Sequence, residues 1–145
     1  MRVIGAYGVG GVTIDFEVAN YDDVARAHAG DIKPERVRRR IVRGIVDPGA
    51  AMLVLPESVV KELGLPLGGM AKVRYADGRR AVRREAKAAQ VTILGRDDTF
   101  TAVVEPKRKD ALIGAIVLEA LDLLVDCKEQ RVVPRDPSGP IYEIE

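Results

Sequence analysis

Ile45-Val46-Asp47-Pro48-Gly49-Ala50 is the stretch of this sequence that decides its fold. An apolar, strand-like pair delivers one carboxylate, Asp47, into a turn, and a second apolar run, Met52-Leu53-Val54-Leu55, follows and stops at Pro56. Turns usually lie between polar segments, but hydrophobic sequence flanks this one on both sides. We therefore expect Asp47 to lie near a core or an interface, where a carboxylate is costly unless it is hydrogen-bonded or functional.

The length and composition of the chain indicate one domain with an aliphatic core. The 145 residues are 47% hydrophobic but only 4% aromatic, so the core must consist mostly of Val, Leu, Ile and Ala. Charged residues make up 31% of the chain and the net charge is +1. This balance favours neither nucleic acid nor a membrane as a partner.

The inventory of reactive side chains excludes several chemistries. Cys127 is the only cysteine and His28 the only histidine, so one chain cannot form a disulfide or a zinc site made of His and Cys. Ser58 and Ser138 both lack the sequence context of a nucleophilic serine. Residues 8–11 are rich in glycine but lack phosphate-loop spacing, and they predict a turn or a bulge. Carboxylates remain as the candidates for catalysis.

No stretch of the sequence predicts export or membrane insertion. The first seven residues run into glycines rather than into an apolar core with a cleavage site, so we expect no signal peptide. No apolar run approaches the roughly 20 residues that a membrane-spanning helix needs. Together with the single cysteine, these patterns favour a cytoplasmic protein.

The first third of the chain alternates between apolar and polar residues and then becomes basic. Residues 12–18 predict a half-buried strand, and residues 22–33 predict a polar loop with room for a short helical turn. Residues 35–46 are β-rich and carry five arginines between Arg36 and Arg43. These arginines favour an edge strand protected by charge, with a nucleic-acid-binding stripe as the less favoured alternative. The pairs Asp22-Asp23 and Asp97-Asp98 are interpreted as solvated loop residues.

The middle of the chain predicts a polar hairpin. Asp77-Gly78 separates two extended runs, which is a strong signal for a two-residue type I′ turn. Both runs are rich in Lys and Arg, a composition that suits an exposed arm better than a core hairpin. A further turn is expected at residues 66–69.

The remaining segments predict two helices and more short strands. Residues 57–63 form a short helix between Pro56 and Gly64, and residues 115–123 form the best helix, with Asp122 outside its apolar stripe. The last five residues alternate and could pair as a strand. The sum is a small, mostly antiparallel β-domain that forms a closed or partly closed barrel.

Several separated segments together resemble the retroviral-type (retropepsin-like) aspartic proteases, in the manner of their bacterial and archaeal members. The similarity begins with the apolar pair before Asp47 and continues through the apolar strand that ends in Pro56 and the polar hairpin. The Asp-x-Gly-Ala motif is weak alone, but it is fairly specific together with Leu112-Ile113-Gly114 further along the chain. The other matching segments are Leu63-Gly64-Leu65, Ile93-Leu94-Gly95-Arg96, Leu123-Leu124-Val125-Asp126 and Val133-Pro134.

The resemblance implies a mostly β fold, a small closed antiparallel β-barrel of acid-protease type with one C-terminal helix and a flap hairpin. We accordingly assign residues 1–135 to a retropepsin-like aspartic protease domain and residues 136–145 to a C-terminal tail. The resemblance also implies roles for individual residues. They are Asp47 as the catalytic residue, Pro48, Gly49 and Ala50 in the active-site loop, Tyr75, Ala76, Asp77, Gly78 and Arg79 in a substrate-binding flap, and Leu112, Ile113 and Gly114 as structural residues near the site.

In this family two chains pair about a twofold axis, and each contributes one aspartate to a catalytic pair. Because the sequence contains one such motif, the resemblance implies a homodimer. It implies an endopeptidase that hydrolyses a peptide or protein substrate with an activated water. It implies neither a metal nor a cofactor, and no membrane partner.

Pro48 departs from the family pattern, which has Thr or Ser after the aspartate. The missing hydroxyl and N–H normally form hydrogen bonds across the dimer, and proline supplies neither. Proline also restricts Asp47 to extended backbone conformations. Three interpretations of Asp47 therefore stay open: a working catalytic residue, a vestigial one in a fold kept for peptide binding or assembly, and an ordinary turn residue, since Asp-Pro-Gly is also a plain turn signal.

Overall fold

The computed structural model describes residues 3–4 and 11–145, so the turn expected at residues 8–11 lies almost entirely outside the described residues. The strands are β1 (Val3–Ile4), β2 (Val12–Asn20), β3 (Arg39–Val46), β4 (Leu53–Pro56), β5 (Leu67–Arg74), β6 (Arg80–Ile93), β7 (Arg96–Glu105), β8 (Ala111–Ile113), β9 (Leu123–Asp126) and β10 (Arg131–Pro134). The helices are α1 (Tyr21–His28), α2 (Glu57–Leu63) and α3 (Ala115–Ala120), with a 3-10 turn at Pro34–Arg36. No helix within these described ranges is long and apolar enough to cross a membrane.

Six of the strands close into a barrel. Around the ring the order is β2, β3, β8, β4, β7 and β6, and β6 returns to pair with β2, where Val18 lies opposite Val91. The β3–β8 and β4–β7 contacts are parallel and the other four are antiparallel. Strand β5 pairs with the far end of β6 outside the ring, forming a hairpin arm. With 47% strand, this architecture confirms the mostly β fold, the closed barrel, the C-terminal helix and the hairpin.

A separate three-stranded sheet lies beside the barrel. Strand β9 is its centre, with β1 parallel on one side and β10 antiparallel on the other. Val125 of β9 and Val132 of β10 are buried and belong to the same hydrophobic core as the barrel. The sheet and the barrel are therefore continuous through one core.

Branched aliphatic side chains fill the barrel, as the composition predicts. Leu53 and Leu55 of β4 and Ile113 of β8 are fully buried, whereas Phe16 and Phe100 are the two phenylalanines of the core. Burial of one large aliphatic side chain stabilises a fold by about 1.5–3 kcal/mol. These buried side chains anchor β4, which follows the loop after β3, and β8, which pairs with β3.

The type I′ turn occurs at a different hairpin from the one predicted. Between β6 and β7, both Leu94 and Gly95 have positive φ (52° and 76°), as this turn requires. At the tip of the β5–β6 hairpin only Gly78 has positive φ, and its N–H donates to the Tyr75 carbonyl at 2.9 Å. The predicted hairpin is present, but its turn is a three-residue loop closed by Gly78, so the prediction of a type I′ turn at Asp77-Gly78 is wrong.

Two segments expected to be irregular are regular. The turn predicted at residues 66–69 is absent, because β5 begins at Leu67 and continues through a bulge before Met70. Residues 22–33 contain most of α1 rather than a loop with a single helical turn. Asn20 explains this helix, since its side chain accepts the N–H of Asp23 at 3.1 Å and donates to the Leu63 carbonyl at 2.9 Å.

Two carboxylates expected at the surface are buried in ion pairs. Asp23 is 5% exposed and binds the Arg38 guanidinium through both oxygens, at 2.8 and 3.0 Å. Asp122 is fully buried, with Arg135 Nε at 2.8 Å, because a φ of 56° at Asp122 ends α3 and turns this residue inward. Asp97 and Asp98 are exposed as predicted, although they belong to β7 rather than to a loop.

The tail after Pro134 does not pair as a strand. Its backbone is instead bound to the end of α3: the Ile141 N–H donates to Asp122 at 2.9 Å, and the Ile141 carbonyl accepts from Arg135 at 2.8 Å. The Tyr142 hydroxyl donates to the Ala120 carbonyl at 2.5 Å. The last residues are therefore held by hydrogen bonds and not by strand pairing, and Ile144 is 92% exposed.

Among the residues that the structure describes, the basic half of β3 has a neighbouring strand on one side only. Strand β8 pairs with Gly44–Val46 and β2 pairs with the whole of β3, so the arginine-rich half has one free edge. This geometry agrees with the interpretation of an edge protected by charge. Three of the arginines also face carboxylates: Arg38–Asp23, Arg39–Glu17 and Arg40–Glu62.

Candidate active site

The loop that carries Asp47 follows β3 and is bound to β8. Asp47 is the first residue after β3, and its N–H donates to the Ile113 carbonyl at 3.0 Å. Val46 and Pro48, on either side of Asp47, are both buried. The barrel therefore fixes the backbone of the loop at the residue that bears the carboxylate.

The carboxylate of Asp47 is oriented by its own loop and is open to solvent. Its Oδ1 accepts the Gly49 N–H at 2.9 Å, and the Asp47 carbonyl accepts the Ala50 N–H at 3.1 Å, which together form a tight turn. Oδ2 has no hydrogen-bond partner among the residues that the structure describes. The expectation of a place near the core holds for the flanking backbone, whereas the side chain of Asp47 is exposed in the single chain.

Gly114 lies where the loop that carries Asp47 crosses the start of α3. A Cβ at this position would overlap the carbonyl oxygen of Met52 and lie 2.8 Å from that of Ala50. The same crossing is sealed by two hydrogen bonds, from the Ala115 N–H to the Ala50 carbonyl at 2.8 Å and from the Ile116 N–H to the Ala51 carbonyl at 3.1 Å. The segment Leu112-Ile113-Gly114 therefore needs a glycine because backbone packs on backbone at this point.

A cleft of about 650 Å³ separates this loop from the β5–β6 hairpin. Pro48, Ile113 and Gly114 are buried beneath its floor, and residues 77–79 form the hairpin tip outside its lining. The predicted site residues that line it are Asp47, Gly49, Ala50, Tyr75, Ala76 and Leu112. The sequence reasoning did not find the residues that complete the lining, which are Ala51, Met52, Val54, Lys72, Val73, Arg74, Val103, Glu105 and Arg108.

The tip of the hairpin is organised by contacts within itself. Asp77 accepts hydrogen bonds from the backbone N–H of Arg79 at 2.9 Å and from its Nε at 2.7 Å, and these bonds lower the pKa of Asp77. The Arg79 guanidinium also lies 4.8 Å from the centre of the Tyr75 ring. Asp77 is thus engaged at the tip, and Asp47 on the opposite wall is the free carboxylate of the predicted site.

A second cluster joins the base of the hairpin to β7. The Tyr75 hydroxyl donates to Glu105 at 2.8 Å, and Arg83 forms an ion pair with the same carboxylate. Partial burial and the hydrogen bond to Glu105 raise the pKa of the Tyr75 hydroxyl. Since Tyr75 and Glu105 both line the cleft, this cluster connects the hairpin to the strand β7 along the cleft wall. No local signal marks Glu105 in the sequence, because its two partners are 22 and 30 residues away.

Two carboxylates line the cleft, and among the described residues Asp47 forms no ion pair. The walls carry both apolar and basic side chains. Glu105 is occupied by Tyr75 and Arg83, and Arg108 donates from Nε to the Asp110 carbonyl at 2.7 Å. In the part of the chain that the structure covers, no three His, Cys, Asp or Glu residues are grouped so as to hold a metal ion. The chemistry that the cleft presents is therefore an oriented aspartate facing apolar and basic side chains.

Comparison with known proteins gives one family. The family model described as gag-polyprotein putative aspartyl protease matches residues 35–120, which is more than half of the chain. The matched region runs from the 3-10 turn before β3 to the last residue of α3, and it includes Asp47, the hairpin and Gly114. No curated protein matches the sequence.

Proposed function

Because this chain belongs to the gag-polyprotein putative aspartyl protease family, we propose that it is an aspartic endopeptidase active as a homodimer. Each chain would contribute Asp47 to one shared pair of carboxylates. The observation that carries the proposal is the state of Asp47: its backbone is fixed to β8, its Oδ1 is oriented by Gly49, and its carboxylate is exposed at the edge of a cleft.

The proposed chemistry follows from placing two such carboxylates together. Two carboxylates in close contact cannot both ionise, so one keeps a proton, as is known for aspartic-protease pairs. The ionised Asp47 removes a proton from a water that attacks the peptide carbonyl carbon. The protonated Asp47 of the other chain donates to the carbonyl oxygen, and a carboxyl then protonates the leaving nitrogen.

The hairpin supplies the opposite wall for an extended peptide. Tyr75 and Ala76 line the cleft from the hairpin side, and Val54 and Val103 line it from the barrel. An extended peptide in this position can form main-chain hydrogen bonds with the hairpin while its side chains enter the apolar parts of the cleft. This arrangement suits an unfolded or locally extended protein substrate.

Pro48 favours a second candidate, a peptide-binding or scaffold protein of impaired activity. The residue is buried beside Asp47 and has neither an N–H nor a hydroxyl to give to a partner chain. In that case the chain would still pair and bind extended peptides, but it would not cleave them. The single buried cysteine, Cys127, supports a reducing compartment for either activity, and we propose the cytoplasm.

Cleavage of an unfolded protein at acid pH tests the proposal. We expect fragments of a reduced, alkylated protein substrate between about pH 4 and 6, the range of a shared carboxyl proton, and no fragments with Asp47→Asn. Asp97→Asn is the matched control, because Asp97 is an exposed aspartate of β7 outside the cleft lining. Equal cleavage by wild type and Asp47→Asn would exclude the mechanism, whereas peptide binding without cleavage would favour the scaffold candidate.

A further inference from the structure

We propose that the free edge and the outer face of the β5–β6 hairpin form a docking surface for an extended acidic polypeptide segment. The outer face is defined by alternate residues of both strands. Because residues paired across two strands point to the same side of a sheet, the register places six side chains together, and all six are exposed. They are Met70, Lys72 and Arg74 of β5 and Arg84, Val82 and Arg80 of β6.

The positive charge of this face is not compensated locally. In the described chain, none of its four basic side chains forms an ion pair, and Arg84 donates only to the Gly68 carbonyl, at 3.2 Å. Arg79 and Arg83 of the same hairpin, by contrast, are paired with carboxylates. Residues 67–84 contain six basic residues and one acidic residue, although the net charge of the whole chain is only +1. The outer face is thus a concentrated patch of charge without an internal partner.

The charges of this face surround a shallow depression of about 520 Å³. Its lining comprises Lys72, Val73 and Arg74 of β5 and Arg80, Ala81 and Val82 of β6. Three cationic groups around one depression attract carboxylates and repel one another when it is empty. An acidic ligand relieves this repulsion, and the long side chains can bind a carboxylate without leaving the strands.

The edge of β5 adds a reason for the ligand to be an extended polypeptide. In the described residues β5 pairs with β6 alone and is the terminal strand of the seven-stranded sheet, so its other edge presents unpaired N–H and C=O groups. A peptide that adds as a strand satisfies these groups. Its residues opposite Lys72 and Arg74 lie on the same face about 5 Å away. Acidic residues at every second position would therefore meet the basic side chains.

The side chains between the acidic positions would project to the other face of the hairpin. That face carries Ala71 and Val73, which are half-buried and apolar. On the outer face itself, Met70 and Val82 are 55% and 54% exposed and can contact the aliphatic parts of acidic side chains. The matching ligand is a segment in which acidic and small apolar residues alternate.

The same observations favour a polypeptide over nucleic acid. Binding of single-stranded nucleic acid combines cationic side chains with aromatic side chains on which the bases stack. The outer face has no aromatic residue, and Tyr75 lies on the other face beneath Arg79. A nucleic acid also cannot supply the backbone N–H and C=O groups that the β5 edge requires.

Docking on this surface requires no catalysis, so it can be measured apart from the proposed proteolysis. The protein is the full chain carrying Asp47→Asn, and the probe is a fluorescein-labelled octapeptide that alternates Glu and Val, followed by fluorescence anisotropy at neutral pH. We expect Arg80→Gln/Arg84→Gln, which changes two outer-face residues that do not line the Asp47 cleft, to weaken binding about tenfold, because two exposed charges are lost. Binding should also weaken with added salt.

Three matched controls make the test specific. Lys33→Gln/Lys128→Gln removes the same charge from exposed positions elsewhere and should leave binding unchanged. An octapeptide with Gln in place of Glu, and one with N-methyl groups at the residues facing β5, should each bind at least about fivefold more weakly.

Several results would overturn the proposal. They are equal affinity for the Glu and Gln peptides, an equal loss of affinity in both double variants, and tighter binding of oligothymidine that is lost in Arg80→Gln/Arg84→Gln. The last result would assign the face to nucleic acid. Circular dichroism of each variant verifies that the barrel is folded, so a loss of affinity reports on the surface.

Discussion

The residue beside the catalytic candidate is the first place to test the proposed chemistry. Pro48→Thr adds one N–H and one hydroxyl next to Asp47. If these groups bond across the dimer, each is worth about 0.5–1.5 kcal/mol, and we expect kcat/KM to rise by about threefold to tenfold or the dimer to tighten by a similar factor. Steady-state kinetics and sedimentation equilibrium measure the two effects.

Pro48→Ala separates the two restored groups, because alanine supplies the N–H without the hydroxyl. A gain with Thr that alanine does not reproduce assigns the effect to the hydroxyl. If neither variant changes activity or dimer affinity, the account of the lost hydrogen bonds is wrong. A gain in both identifies the backbone N–H as the missing donor.

The close backbone packing around Gly114 predicts that two glycine substitutions differ strongly in their effect on the free energy of unfolding. Gly114→Ala forces a Cβ against the carbonyl oxygens of Met52 and Ala50, so it must displace the loop that carries Asp47. We expect a loss of about 1–3 kcal/mol in unfolding free energy and a large loss of any cleavage activity. Gly69→Ala is the control, since nothing lies within 4 Å of its added Cβ. Equal urea midpoints for the two variants would contradict the crossing described above.

At the scale of elements, the ion pair between α1 and the start of β3 gives a pH-dependent stability. Hydrogen bonds from Arg38 lower the pKa of Asp23, in spite of its burial. A lowered folded-state pKa stabilises the protein above the unfolded value of about 3.9, and this stabilisation is lost as the pH falls through the folded-state value. We expect Asp23→Asn to cost about 1–2 kcal/mol at pH 7 and less below about pH 4.

Urea unfolding at pH 7 and pH 3 measures the effect on Asp23, and Asp22→Asn serves as the control. Asp22 is the exposed neighbour on the same helical turn, so its replacement removes an equal charge without breaking the pair with Arg38. A cost for Asp23→Asn that is the same at both pH values would show that packing, and not ionisation, stabilises this contact.

The elements also show what local sequence can predict and what it cannot. The alternation in β2 and the Pro56 and Gly64 boundaries of α2 are local signals, and both elements are where they were predicted. Asp77-Gly78 has the better local preference for a type I′ turn, yet the two consecutive residues with positive φ are Leu94 and Gly95 of the β6–β7 hairpin. The burial of Asp23 depends on its ion pair with Arg38. Arg38 lies 15 residues further along the chain, so the residues next to Asp23 do not indicate this contact.

The residues of the candidate site also fall into two groups: those that a local motif predicts, and those that only strand pairing brings together. Asp47 and Gly114 belong to contiguous motifs, so sequence reasoning can propose them, and the structure brings their segments into contact. Glu105 and Arg83 enter the site only because β6 and β7 pair and bring the hairpin base beside the cleft. The sequence alone does not predict such residues, because their proximity to the site depends on how the strands pair in the sheet.

For the whole molecule, the proposed shared site predicts that inactive chains inhibit active ones. In an equal mixture of wild type and Asp47→Asn that exchanges freely, half of the wild-type chains pair with an inactive partner. The activity per wild-type chain should therefore fall to about half. Cleavage assays on re-equilibrated mixtures measure this, with Asp97→Asn as the mixing control. Full retention of activity would indicate a site completed within one chain.

The crossing at Gly114 has a consequence for hydrogen–deuterium exchange. The amides of Ala115 and Ile116 belong to the first turn of α3, yet their acceptors are the carbonyls of Ala50 and Ala51. These protons can therefore exchange only when the loop that carries Asp47 lifts from the helix. Their exchange rates therefore report on the opening of the loop that carries Asp47, although they are measured on a peptide that does not contain this loop.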